Sequence, residues 1–317
     1  MTIWLNSPGE VLEPEILLGP ENTAYVEWTL RLEDSGTEEF VEGMLTSFSD
    51  LNARSDSPLP DGLEHMINAR QIGKARKNLR KLFPLVVAWT AQPGDSLDED
   101  EHLFTLSARG LGHRMVLADW ILGLFLGRSK DVEIVRHRGE KIFVLDERNG
   151  TKPAGFINKG TTFLATNLDS ARNARDRLDL IEGESVVQTE LSSLFGGLPQ
   201  DHALKGALTN RRGELRRLLE ALEFSDETVS ASIWDDVRAS TIVANFRDED
   251  AFGGTLTLQG PDADWAGTHA ETIGTAIEAL FDRSRVEFTT EVRQDGSDVR
   301  VEFNTTNLFE QIETINR

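Results

Sequence analysis

Two stretches of the chain share one outline, and no other feature restricts the fold as much. GRSKDVEIVRHRGEKIFVLD runs from Gly127 to Asp146, and DRSRVEFTTEVRQDGSDVRVEF from Asp282 to Phe303. Each opens on an Arg-Ser step, continues as a strand-like run, turns at a polar segment containing glycine, and returns as a second strand-like run. Strand-like runs on either side of such a turn are the pattern of a β-hairpin. A chain that writes this pattern twice is expected to build one α+β unit twice.

The flanking periodicity fills out each unit. LVVAWTA (Leu85 to Ala91) and HLFTLSA (His102 to Ala108) read as strands, and an apolar helix follows from Leu111 to Leu126. Its expected buried residues are Met115, Leu117, Trp120, Ile121, Leu124 and Phe125. The first hairpin turns at Arg138-Gly139-Glu140. A further one, AGFI with TTFLAT, turns at Asn158-Lys159-Gly160, and the helix LDSARNARDRLDLI closes the unit with Asn167 as its N-cap. In the C-terminal third, ASTIVANF and GTLTLQG read as strands and a helix spans Asp264 to Phe281. A hairpin then turns about Asp295-Gly296, and NLFEQIETI forms a last short helix. Both regions read strand, strand, long helix, strand, strand, helix, with a hairpin inserted in the first.

The expected fold class is therefore α+β: two related antiparallel sheets, each with a long helix packed on one face. The expected boundaries are an N-terminal strand-helix segment at 1–83, units at 84–182 and 236–317, and a helical linker at 183–235. Within the linker, RRGELRRLLEALE sets Leu215, Leu218, Leu219 and Leu222 on one helical face, as packing requires. In the N-terminal segment, TAYVEWTLRL alternates as a strand and TEEFVEGMLTSF has helical spacing. A polar loop follows over 50–61, and an amphipathic helix over 62–82 stops at Pro84.

Composition limits the function classes. The chain has 317 residues, enough for two domains with buried cores. Its 33 basic and 54 acidic residues give a formal net charge of −21, which opposes general binding to nucleic acid or anionic membranes. The absence of cysteine excludes disulfides, zinc-thiolate sites, iron–sulfur clusters and a cysteine nucleophile. No apolar run reaches the roughly 20 residues of a spanning helix. The opening MTIWLNSPGEVLEP lacks the pattern of a signal peptide. As the sequence stands the expected compartment is the cytoplasm, and an anchor ahead of it would make the setting extracytoplasmic.

The motifs that carry common chemistry are missing. There is no phosphate loop, nucleophile elbow or zinc-binding HExxH, and Gly110-Leu111-Gly112 lacks the third glycine of a dinucleotide fingerprint. His65, His102, His113, His137, His202 and His269 are scattered without metal-helix spacing. In DSLDEDEH, Asp98, Asp100 and His102 alternate, so an extended chain would turn them one way, as weak calcium binding would need. A charge run before a strand is usually a solvated loop, and that is the reading preferred here. DADWAG (Asp262 to Gly267) starts like an EF-hand loop, but Ala266 and Ile273 stand where ligands belong. There Asp264 or Thr268 is read as an N-cap, Thr268 with Glu271 making a capping box. No catalytic, cofactor-binding or metal-binding residue is assigned.

One segment breaks the acidic trend. RQIGKARKNLRK, Arg70 to Lys81, holds six basic residues and no acidic one, with Arg70, Lys74, Lys77 and Lys81 on one helical face. That face either pairs with the chain's own carboxylates or docks on an anionic membrane or nucleic-acid backbone. Finally, LLGPENTAYVEWTLRLEDSG, about twenty residues, is similar to the opening of uncharacterised bacterial proteins whose tandem α+β repeats follow a membrane anchor. The resemblance implies an extracytoplasmic setting and carries no functional motif. The leading expectation is a non-enzymatic binding, assembly or scaffolding protein that meets a protein partner or itself and takes no cofactor and no nucleic acid. The alternatives are a carboxylate- or metal-dependent hydrolase, and a peripheral binder whose only membrane contact would be Arg70, Lys74, Lys77 and Lys81.

Overall fold

The computed structural model describes residues 21–31, 36–37, 83–93, 101–108, 132–145, 152–158, 161–181, 189–221, 231–247, 251–282 and 287–306. The basic face Arg70, Lys74, Lys77 and Lys81 lies outside them. So do the apolar helix expected at 111–126, most of the helix expected at 37–48, the last helix, Asp98, Asp100, His65 and His113. Two compact units divide the described residues. The first takes those within Met1–Thr29, Pro84–Leu198 and Lys205–Thr209, the second those within Leu30–Phe83, Pro199–Leu204 and Asn210–Arg317.

The first unit contains β1 (Ala24–Leu30), β2 (Leu85–Gln92), β3 (Glu101–Ala108), β4 (Val132–His137), β5 (Glu140–Leu145), β6 (Ala154–Asn158) and β7 (Thr161–Ala165), then helices α1 (Leu168–Ile181) and α2 (Glu190–Gly196) and strand β8 (Leu204–Thr209). The strands lie in the order β8-β1-β2-β3-β7-β6-β5-β4. The pairings from β2 to β4 are antiparallel. Positive φ at Arg138 (50°) and Gly139 (91°) makes the tight primed turn that joins β4 to β5 without splaying them. Asn167 caps α1 as expected, its side-chain oxygen accepting from the Ser170 amide at 2.8 Å. Ala171, Ala174 and Leu178 of α1 bury against Leu103, Ile142, Val144, Phe156, Phe163 and Ala165. Leu191 and Phe195 of α2 bury with Tyr25, Ala88 and Ala207.

The stretch read as a wholly helical linker does not stay helical. LKGALT forms β8, whose five residues Lys205 to Thr209 are buried. Two small residues and a lysine give that segment little strand signal, and its place beside β1 supplies the pairing that propensity does not.

The second unit holds α3 (Glu214–Ala221), α4 (Ala231–Asp236), β9 (Ala239–Phe246), β10 (Phe252–Gln259), α5 (Ala263–Asp282), β11 (Glu287–Asp295) and β12 (Asp298–Thr306). Its strands run β11-β12-β10-β9, all antiparallel. Asn210 ties α3 to the end of α4: its amide donates to the Trp234 and Val237 carbonyls at 2.7 Å, and its oxygen accepts from the Leu215 amide at 2.9 Å. Leu215 is buried while Leu218 and Leu219 are half-buried, so the leucine face is used for packing.

Helix α5 buries Trp265, Ile273, Ala276 and Ile277. Its cap is Asp262, which accepts from the Trp265 amide at 2.8 Å. Asp264 and Thr268 lie inside the helix, and the Thr268 hydroxyl donates back to the Asp264 carbonyl at 2.8 Å. The cap expected at Asp264 or Thr268 is therefore moved upstream to Asp262, and Thr268 with Glu271 forms no capping box. Asp262→Ala should lower stability by about 1 kcal/mol. Chemical denaturation of the variant checks this.

The two similar hairpins do not occupy equivalent places. In the second unit β12 lies against β10 and β11 is outermost. In the first unit the strand against β3 is β7, followed by β6, with β5 and β4 beyond them at the edge. The hairpin of Gly127–Asp146 is thus displaced by a second hairpin, β6–β7, from the position its sequence outline suggested. Any glycine-turned hairpin shows that outline, and it carries no information about neighbours.

Candidate docking face

The register of the first unit separates its two sheet faces. One carries the core under α1 and α2. On the other a single cross-strand row runs over six strands: Trp89 opposite Phe104, Phe104 opposite Leu164, Leu164 opposite Gly155, Gly155 opposite Phe143, and Phe143 opposite Ile134. A second row joins Val87, Leu106, Thr162 and Ile157. Among the described residues the exposed large hydrophobics are Val87, Phe104, Leu106, Ile134 and Leu164, at 37–46%. All five belong to these two rows.

The phase of β3 is inverted relative to an ordinary half-buried strand. Its helix-facing positions hold Leu103, Thr105 and Ser107, all buried, while Phe104 and Leu106 point the other way. The Thr105 hydroxyl is buried without a hydrogen-bond partner, and Ser107 accepts a long bond from Thr161 at 3.4 Å. Burying polar groups while exposing a phenylalanine and a leucine is unfavourable for the isolated fold. Gly155 has a packing role in the first row. A Cβ there would collide with the Phe163 carbonyl on β7, so only glycine lets β6 approach.

The face is bounded by positive charge. Arg136 and Lys141 stand directly opposite each other on β4 and β5, one step beyond Ile134 and Phe143 on the same side. Neither makes an ion pair among the described residues. The positions sharing this face, from Leu85 to Ala91 on β2 through Val132 to Arg136 on β4, include no aspartate or glutamate. On the helix side the same hairpin is anchored by acid. Asp176 of α1 meets His137 Nε2 at 2.6 Å and Arg138 Nε at 3.0 Å.

The residues singled out by sequence are dispersed. His102 stacks on Trp89 with ring centroids 5.8 Å apart, at one end of the apolar face. His202 contacts Asp201 at 3.1 Å, and His269 lies against Trp265. Among the described residues no group of three or more His, Asp or Glu converges to hold a metal ion. In the first unit Arg177 of α1 donates to Asn22 at 3.1 Å and Gln92 at 3.0 Å. Desolvation lowers its pKa below the usual arginine value, against the pull of Glu101 and Glu21. It fastens the helix to the sheet. No described helix is long and apolar enough to cross a membrane.

The second unit carries a polar recess of about 510 Å³ on its open face, lined by His202, Asn245, Arg247, Gly253, Glu302 and Asn304 among others. Asn245 and Asn304 flank Gly253 across three strands. A Cβ on Gly253 would strike the Asn304 oxygen and the Arg247 guanidinium, so glycine keeps the floor flat. Asn245 is committed to the Ala203 amide at 2.7 Å and Glu302 to Arg293 at 3.6 Å. Hydrogen bonding to a polar group is available there, with no nucleophile–base pair.

No family model and no curated protein matches this chain. A solved structure described as crystal form I of TP0453 is similar over 96% of this chain and 97% of its own, at 10% identity and a TM-score of 0.47. Likeness at that level fixes neither fold nor function.

The strand patterns of β2, β3, β6 and β7 are legible in the sequence, but the exposed apolar face is not. The signal was present in HLFTLSA, where the large apolar residues alternate with Thr and Ser. Strand periodicity alone does not tell which alternate set points inward; the partner strands decide that.

Proposed function

We propose that this chain is a non-enzymatic binding or assembly protein, and that a protein partner seats on the open sheet face of the first unit. The observation that carries this reading is the inverted phase of β3. Turning Phe104 and Leu106 inward would gain about 1.5–3 kcal/mol for each side chain fully buried, so an outward phase serves something other than the isolated fold. Val87, Phe104, Leu106 and Leu164 expose neighbouring apolar surface in an otherwise strongly charged chain, which is the mark of an interaction site. An open sheet face favours a protein over a small molecule, which needs a concave, enclosing pocket.

An unbiased displayed peptide library, selected against the whole chain, tests the reading. The selected peptides should compete with one another and lose binding to a Phe104→Asp/Leu164→Asp variant. They should keep binding to Thr255→Asp, placed on the second unit. Peptides indifferent to the Phe104 and Leu164 substitutions would overturn the proposal.

The two units also read as copies of one ancestral four-stranded unit. In this reading β2, β3, β6 and β7 correspond to β9, β10, β11 and β12, and β4–β5 is a hairpin added at the sheet edge. The support is the shared neighbour order, in which a return strand pairs antiparallel with the second strand and its hairpin mate lies outside it. A crystal structure in which these four-strand sets failed to superpose would contradict the duplication.

A further inference from the structure

We infer that the partner presents an acidic amphipathic segment to this face, its apolar side on Phe104, Leu106 and Leu164 and a carboxylate at Arg136 and Lys141. This rests on the docking reading above and adds the partner's charge.

Like charges directly opposite on neighbouring strands repel. The chain contains an internal comparison showing how such pairs are normally relieved. In the second unit Glu291 lies opposite Glu302 and Arg293 opposite Arg300. There the pairs neutralise one another: Arg293 reaches Glu291 at 2.8 Å and Glu302 at 3.6 Å, and Arg300 reaches Asp295 at 2.7 Å. Glu291 holds the Arg293 guanidinium above its usual pKa. Among the described residues the Arg136–Lys141 pair has no such relief, because the strand positions that share its face hold no carboxylate.

Composition makes this more informative. With 54 acidic residues against 33 basic ones, an acid-free patch holding two adjacent cations is not what random placement gives. The global charge of −21 repels any acidic partner at long range, so recognition of one needs a local cationic contact. Crossing the six strands of the Trp89–Ile134 row takes about 24 Å at about 4.8 Å per strand, the length of a helix of roughly 16 residues. Laid across the strands along the Trp89–Ile134 row, it would rest on Phe104 and Leu164 and end beside Arg136 and Lys141.

The test uses the full chain and two synthetic helical peptides with the same Leu/Phe stripe, one with glutamates and one with lysines on its polar side. Fluorescence anisotropy measures each against the unmodified chain, Arg136→Glu/Lys141→Glu, and Phe104→Asp/Leu164→Asp. The acidic peptide should bind the unmodified chain, and the charge reversal should weaken it by about tenfold or more. Face-dependent binding, the part lost in Phe104→Asp/Leu164→Asp, should then shift toward the basic peptide. Arg136 and Lys141 are exposed, so unchanged circular dichroism is expected for that variant. Equal face-dependent binding of both peptides, or an unchanged preference after reversal, would overturn the charge inference and leave the apolar docking reading standing. Loss of all face-dependent binding would sink both. Phosphatidylglycerol vesicles held through the same two cations, with no acidic-peptide binding, would replace the protein partner by a lipid surface and likewise overturn the inference.

Discussion

Lys205→Met is expected to lower the unfolding free energy by about 3–5 kcal/mol, a large loss for a single side chain. Lys205 and Glu27 are a buried pair, with Nζ to Oε1 at 3.6 Å and side-chain exposures of 4% and 7%. Glu27 also accepts from the Tyr25 hydroxyl at 3.1 Å and the Thr29 hydroxyl at 2.9 Å. Lys205 lies 4.6 Å over the Phe195 ring, which meets Tyr25 edge-on at 4.5 Å. Removing the ammonium leaves a carboxylate inside the protein with only neutral donors. The double variant Lys205→Met/Glu27→Leu removes both charges and should be more stable than Lys205→Met alone, though two hydroxyls then lose an acceptor. Urea denaturation of the three proteins checks the order. A double variant no better than the single one would mean that the charges are not coupled.

Phe163→Ala should cost about 3–5 kcal/mol by the loss of buried surface and the cavity left behind. Phe163 is 1% exposed, stacks on Phe156 at 4.6 Å, and lies in the cluster formed by Ile142, Val144 and Leu178 under α1. The rigid neighbours on β5 and β6 leave little room for collapse into the void. Its chain neighbour Leu164 is 41% exposed on the opposite face, and Leu164→Ala should cost less than about 1 kcal/mol. Comparable losses at the two positions would contradict the assignment of the faces.

Local chemistry was legible in the sequence wherever it was self-contained. The Arg138-Gly139 turn, the Asn167 cap and the alternation of β9 to β12 rest on neighbours within a few residues. Strand β8 was not legible, since Lys205 is buried by Glu27, 178 positions away, and Gly206 and Ala207 have no strand preference of their own. The α5 start was misplaced at Asp264 or Thr268, because several N-cap residue types stand close together there and only the hydrogen bond from the Trp265 amide marks Asp262 as the cap. The apolar face required knowing that Phe104 lies opposite both Trp89 and Leu164, a relation among three strands that no window along the chain contains. Its cations were hidden for the same reason, because Arg136 and Lys141 become a pair only across β4 and β5.

The central claim is that Phe104, Leu106 and Leu164 stand uncovered on this face, where Phe143 alone among its large apolar residues is buried, and the stability of Phe104→Asp/Leu164→Asp tests it most directly. If the face is kept for a partner, the two carboxylates enter water, and the unfolding free energy of the isolated chain should change by about 1 kcal/mol or less. If the face is covered by the chain itself, the same substitutions bury unpaired charge, and the loss should match or exceed that of Phe163→Ala. A denaturation midpoint that stays in place is the predicted result. A collapse of the midpoint would contradict the account.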